Sequence, residues 1–179
     1  MLVTDFIMVK NILPVPLCER VVKQSQQNNW RLHAWSNNYK PVDEKLEPTV
    51  SKMGRMQAML IQPYIDKMIQ EYQDMVGSNF ISNSTHPRLN RYKEGSIMAS
   101  HNDHINIHEL VDGSRGGNPL LSMVGNLNNE YTGSDFMIKS EIIPLTAGDV
   151  VLFPSNFMYP HQVTECLRGI RYSFVQWFY

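Results

Sequence analysis

A change of hydrophobic period near residue 87 divides this chain of 179 residues. Beyond it, short runs rich in Val, Ile, Phe and Tyr alternate with Gly, Pro and Asn: Leu89–Tyr92, Ile97–His101, Leu120–Leu127, Phe136–Ile143, Val150–Phe153, His161–Glu165 and Arg171–Tyr179. Turn signals separate them at Gly113 to Asn118, Gly133-Ser134, Gly148-Asp149 and Arg168-Gly169. Runs this short, closed off this often, bury enough surface only as an antiparallel sandwich, jelly roll or barrel. Before residue 87 the period is helical. Pro16 stands in a first helical turn, and Leu17, Val21 and Val22 follow at helical spacing. A longer stripe holds Met53, Met56, Leu60, Ile61, Ile65, Met68, Ile69, Tyr72 and Val76, with Gly77 as its stop. Pro63 lies inside that stripe and predicts a break or kink. The fold class expected is mainly β with N-terminal helices. It forms one domain, a mostly helical support region over 1–87 and a β-sandwich over 88–179.

Composition narrows the function. With 16 Lys+Arg against 17 Asp+Glu, the net charge is −1, and no nucleic-acid partner is expected. No apolar run approaches the ~20 residues of a membrane span, and the first residues lack signal-peptide order. Cys18 and Cys166 are far apart and read as two reduced thiols rather than a disulfide. A cytoplasmic protein is expected.

The chemistry concentrates at His101-Asn102-Asp103-His104, followed at a distance by His161. On a strand, residues i and i+2 share a face, so His101 and Asp103 converge while His104 faces away. Two imidazoles and one carboxylate form the set used by non-haem Fe(II) oxygenases, although the same set also holds catalytic zinc. Alone, His-x-Asp is a weak signal. Ten residues beyond His161, alternation puts Arg171, Ser173, Val175 and Trp177 on one face. A guanidinium directed into a sandwich needs an anion, whether an internal carboxylate or a ligand.

The order His101-x-Asp103, Gly148-Asp149-Val150-Val151-Leu152-Phe153-Pro154, His161-x-Val163, Gly169-x-Arg171-Tyr172-Ser173 and Trp177-Phe178 resembles the 2-oxoglutarate- and Fe(II)-dependent oxygenases, nearest to their prolyl-4-hydroxylase-like branch. The resemblance covers about Arg88 to Tyr179. It implies a double-stranded β-helix (jelly-roll) catalytic core with His101, Asp103 and His161 as iron ligands. It implies Arg171 on the far carboxylate of 2-oxoglutarate, with Ser173 and Tyr92 as further contacts. Fe(II), 2-oxoglutarate and O2 are the implied cofactor and cosubstrates, with ascorbate as a stimulant. The implied reaction is hydroxylation of a C–H bond, foremost of a prolyl residue in a peptide or protein, with CO2 and succinate as coproducts. A small-molecule or free amino acid acceptor is the alternative, and a non-catalytic jelly-roll binding module is a further one. Met98 and Asn126 stand where that branch commonly has tyrosines. Substrate contacts are expected from two loop segments, Trp35 to Pro48 and His104 to Pro119, with Trp35, Tyr39, His104 and His108 as their ring-bearing residues.

Overall fold

The computed structural model describes residues 2–34, 46–104, 110–114 and 117–179. Trp35, Tyr39 and His108 lie outside them, as do most of the first expected substrate loop and part of the second. In chain order the elements are β1 (Leu2–Thr4), β2 (Ile7–Asn11), α1 (Val15–Ser25), β3 (Arg31–Leu32), β4 (Thr49–Lys52), α2 (Arg55–Val76), β5 (Arg88–Lys93), β6 (Met98–His101), β7 (Leu121–Asn126), β8 (Tyr131–Gly133), β9 (Phe136–Ile138), β10 (Glu141–Ile142), β11 (Asp149–Pro154), β12 (His161–Val163) and β13 (Cys166–Phe178).

Among the described residues the strands form two sheets. The larger runs β1-β2-β11-β7-β13-β5-β4-β3, with β8 also on β13, and the smaller runs β10-β9-β12-β6. Every pairing is antiparallel. This is the expected jelly roll, with its helices on the outer face of the larger sheet. Alternation along the central strands builds two cores. Tyr172, Phe174, Val150 and Leu152 face α1 and α2, meeting Cys18, Val21, Ile61, Ile65 and Met68. Their neighbours Val151, Phe153, Val175 and Trp177 face the smaller sheet, meeting Met98, Phe136, Ile138 and Val163. The inter-sheet face carries the chemistry described below.

The sequence expectations change in four places. Among the described residues, the stretch before 88 holds four short strands besides two helices, and β2 and β4 extend the larger sheet at both sides. Helix α2 runs through Pro63 without a break, the proline sitting on its exposed face, where a carbonyl that loses its helical donor is open to solvation. The run Phe136–Ile143 is a hairpin rather than one strand, folded at Lys139 and Ser140, whose φ values are 52° and 67°. Gly169 is not a turn before a strand but lies inside β13, where its φ of 80° and the carbonyl of Glu130, 2.3 Å from an added Cβ, exclude larger residues. Helix α2 does stop at Gly77 in the left-handed conformation, as expected. Cys18 and Cys166 are both free and buried.

Close packing at the sheet centre yields a stability prediction. An alanine Cβ at Gly125 would lie 1.9 Å from Phe174 Cε1, inside the helix-side core. Gly125→Ala is therefore expected to lower stability by about 1–3 kcal/mol through overpacking. Urea denaturation checks it, and an unchanged midpoint would contradict it.

Candidate active site

Strands β6 and β12 pair with His101 directly opposite His161, which brings the two imidazoles to a ring separation of 4.3 Å. Strand β6 ends at His101, so Asp103 arrives by a bend after the strand rather than by the strand alternation expected from sequence. Its Oδ1 lies 3.6 Å from His101 Nε2, and its Oδ2 lies 3.4 Å from His161 Nε2. Two donors each about 2.1 Å from a shared ion stand roughly 3.0–3.4 Å apart. One donor atom from each of the three residues falls within 4.8 Å of the others. The arrangement can therefore hold one metal ion.

The surroundings fix which atoms point inward. His101 Nδ1 lies 2.7 Å from the Ala99 carbonyl oxygen, and His161 Nδ1 lies 3.2 Å from that of Tyr159. A carbonyl only accepts, so each Nδ1 carries the proton and each Nε2 turns its lone pair toward the cluster. Burial, then the neighbouring His161, pushes the His101 pKa down to about 3, which keeps the ring neutral. Burial opposes the charge of Asp103, but the two histidines and the Ser122 hydroxyl outweigh it and hold the carboxyl well below its usual range. Ser122 Oγ donates to Asp103 Oδ2 at 2.7 Å and lies 2.8 Å from Ser155 Oγ.

On β13, register sets Arg171 against Tyr92 of β5, and Ser173 against Asn126 of β7. Arg171 is 1% exposed. Its Nε donates to Asn126 Oδ1 at 3.0 Å, and its guanidinium carbon lies 5.3 Å from the Tyr92 ring centroid. Both terminal nitrogens are buried without a hydrogen-bond partner, and so is Ser173 Oγ. The internal carboxylate considered from sequence is not found among the described residues. Tyr92 is buried, and its hydroxyl accepts from Asn90 Nδ2 at 3.4 Å. Burial raises the Tyr92 pKa, opposed by the charge of Arg171, so the phenol keeps its proton. A buried cation with unpartnered donors, beside an unpartnered hydroxyl and a phenol, can receive a carboxylate.

A family model for the 2OG-Fe(II) oxygenase superfamily matches residues 87–179. The chain belongs to that superfamily. No curated protein sequence matches it. Among solved structures, this oxygenase resembles a prolyl hydroxylase from Trichoplax adhaerens in complex with a hypoxia inducible factor peptide fragment. The TM-score is 0.74 at 17% identity, covering 98% of this chain and 84% of that one. A Pseudomonas putida prolyl-4-hydroxylase gives 0.68 at 19%, covering 98% and 92%. A viral collagen prolyl hydroxylase from Paramecium Bursaria Chlorella virus-1 gives 0.69 at 14%, covering 97% and 96%. At these identities the likeness is one of fold.

The cavity of the oxygenase beside the cluster is lined by His101, Asp103, His161, Tyr92, Met98 and Trp177, among others. Arg88, Asn90 and Gln162 also line it and were not singled out from sequence. Ser122 was missed as well, because a hydroxyl inside the apolar run Leu120–Leu127 carries no local signal. His104 is half-buried and does not line the cavity. Among the described residues no helix is long and apolar enough to cross a membrane.

Proposed function

We propose that this oxygenase is a 2-oxoglutarate- and Fe(II)-dependent dioxygenase that hydroxylates a prolyl residue of a peptide or protein in the cytoplasm. The observation that carries the cosubstrate is Arg171, a buried guanidinium with two unpartnered nitrogens on the same inter-sheet side as the His-Asp-His cluster. His101, Asp103 and His161 are the ligands, each imidazole oriented by its Nδ1 proton on a backbone carbonyl so that Nε2 faces the cluster. Bound there, Fe(II) with 2-oxoglutarate supplies the O2 chemistry that puts one oxygen atom into the acceptor C–H bond and the other into succinate, with release of CO2. The chain positions the reactants and excludes water. Arg171 receives the far carboxylate of 2-oxoglutarate, Ser173 and Tyr92 add hydroxyl contacts, and Asn126 holds the guanidinium from behind through its Nε. Met98, Phe136, Val163 and Trp177 give the cavity dry walls.

The prolyl acceptor is supported by the fold shared with prolyl hydroxylases over nearly the whole chain. Its test is incubation with Fe(II), 2-oxoglutarate, ascorbate and proline-containing peptides. Mass spectrometry should find one added oxygen on proline and an equal amount of succinate. Oxygen added only to free amino acids or other small molecules would refute the prolyl acceptor and retain the dioxygenase.

The Asp103–Ser122 contact gives a separate prediction. Ser122→Ala removes the hydroxyl that orients the carboxylate, and metal affinity is expected to fall about 10–100-fold. Titration with Mn(II) measures it, and unchanged affinity would show that the bend alone aims Asp103.

A further inference from the structure

Arg88 belongs to two cavities at once. It lines the metal-side cavity with His101, Asp103 and His161, and it lines an outer groove of ≈ 390 Å³ with Trp177, His86, Lys52 and Arg31. Its guanidinium carbon lies 4.9 Å from the Trp177 ring centroid, and its Nε donates to Asn90 Oδ1 at 3.1 Å. Stacking and one hydrogen bond thus fix the plane of the group. No carboxylate of the described residues pairs with Arg88, Arg31 or Lys52. None of the described residues lining the groove is acidic. The chain as a whole carries a net charge of −1, so this cationic track is local. It also continues outward, because a further cavity lined by Asn28 and Asn29 shares Arg31, Ser51 and Lys52 with the groove. Lys52 stands opposite Arg88 in the β4–β5 register and Arg31 opposite Val50, so an extended chain lying along the groove would meet all three cations.

Resting on the oxygenase reading above, we propose that the acceptor is an acidic peptide segment, one carboxylate held by Arg88 beside the residue to be hydroxylated and others following along Lys52 and Arg31. The charges give selectivity through attraction across a partly desolvated groove, so binding weakens as salt screens it.

The test uses the full chain loaded with Mn(II) and 2-oxoglutarate, and fluorescein-labelled peptides centred on proline. One peptide has Asp and Glu on both sides, and its partner has Asn and Gln at the same positions. Anisotropy should show the acidic peptide binding about ten-fold tighter at low salt, the advantage shrinking as salt rises. Arg88→Ala should remove most of the advantage and Arg88→Lys should restore part of it. The double variant Arg31→Gln, Lys52→Gln, altered only at exposed positions, should reduce it without loss of fold. Equal binding of the two peptides, no binding of either, or an advantage that survives all these variants would overturn the proposal. So would free glutamate competing as well as the unlabelled acidic peptide, which would mark a small acceptor. With Fe(II) in place of Mn(II), an acidic peptide that binds yet gains no oxygen would contradict the prolyl reading and leave the docking surface standing. Oxygen gained equally by both peptides would do the reverse.

Discussion

Asp103→Asn and His161→Ala are each expected to weaken Mn(II) binding by more than about 100-fold and to abolish succinate formation. Loss of groups that merely orient a metal ligand already costs 10–100-fold, so loss of a ligand must cost more. Asp103→Asn keeps the size of the side chain and an oxygen for Ser122 Oγ, so the fold should survive it. His161 packs against Phe153, at a ring separation of 4.9 Å, and its removal leaves a cavity. Agreement between the two variants therefore separates a metal effect from a packing effect. Isothermal titration reads the affinity, and stoichiometric Mn(II) binding by both would move the metal elsewhere.

The second large effect is at Arg171. Truncating one partner of a buried charge pair costs about 2–5 kcal/mol, so Arg171→Ala should raise the concentration of 2-oxoglutarate required by about 30-fold or more. Arg171→Lys should recover a part, since it keeps the charge and loses the fork. The free protein should behave in the opposite way. There the guanidinium is an uncompensated buried cation, so Arg171→Ala should melt no lower than the parent chain. What the variant should lose is the rise in melting temperature that 2-oxoglutarate gives by binding the folded state. Calorimetry with and without the cosubstrate checks both. A variant still stabilised like the parent would place the carboxylate on other residues.

Much of this arrangement was legible because strand alternation is local. The side chains of Arg171, Ser173, Val175 and Trp177 fall on one face of β13 whatever β13 pairs with, and all four are buried. The helical stripe of α2 and its glycine stop follow from equally local rules. What escaped was set by distant partners or by unmarked turns. Strand β2 is five residues long and is stabilised by β11, about 140 positions away, which no local pattern reveals. Its preceding turn uses Asp5 and Phe6 at φ values of 52° and 59°, without glycine. Lys139 and Ser140 break the β9–β10 run in the same unmarked way. At the site, the three residues proposed as ligands could be picked out from sequence and do come together, but the contacts that aim them could not be read there. The Ser122 hydroxyl reaches Asp103, and that of Ser155 reaches Ser122, only once distant strands are assembled, while the Ala99 and Tyr159 carbonyls, each two residues before its histidine, leave no mark in residue type. Asn126 is the instructive departure. It stands where the resemblance implies a tyrosine that reaches the cosubstrate carboxylate, whereas here its Oδ1 accepts from Arg171 Nε and from the Tyr131 hydroxyl.

A crystal structure of the chain, grown without oxygen in Mn(II) and 2-oxoglutarate, would place both the ion and the cosubstrate. One ion is expected on His101 Nε2, Asp103 and His161 Nε2, with the far carboxylate of 2-oxoglutarate on the terminal nitrogens of Arg171. An ion on other residues, or a cosubstrate carboxylate that leaves Arg171 unpaired, would contradict it.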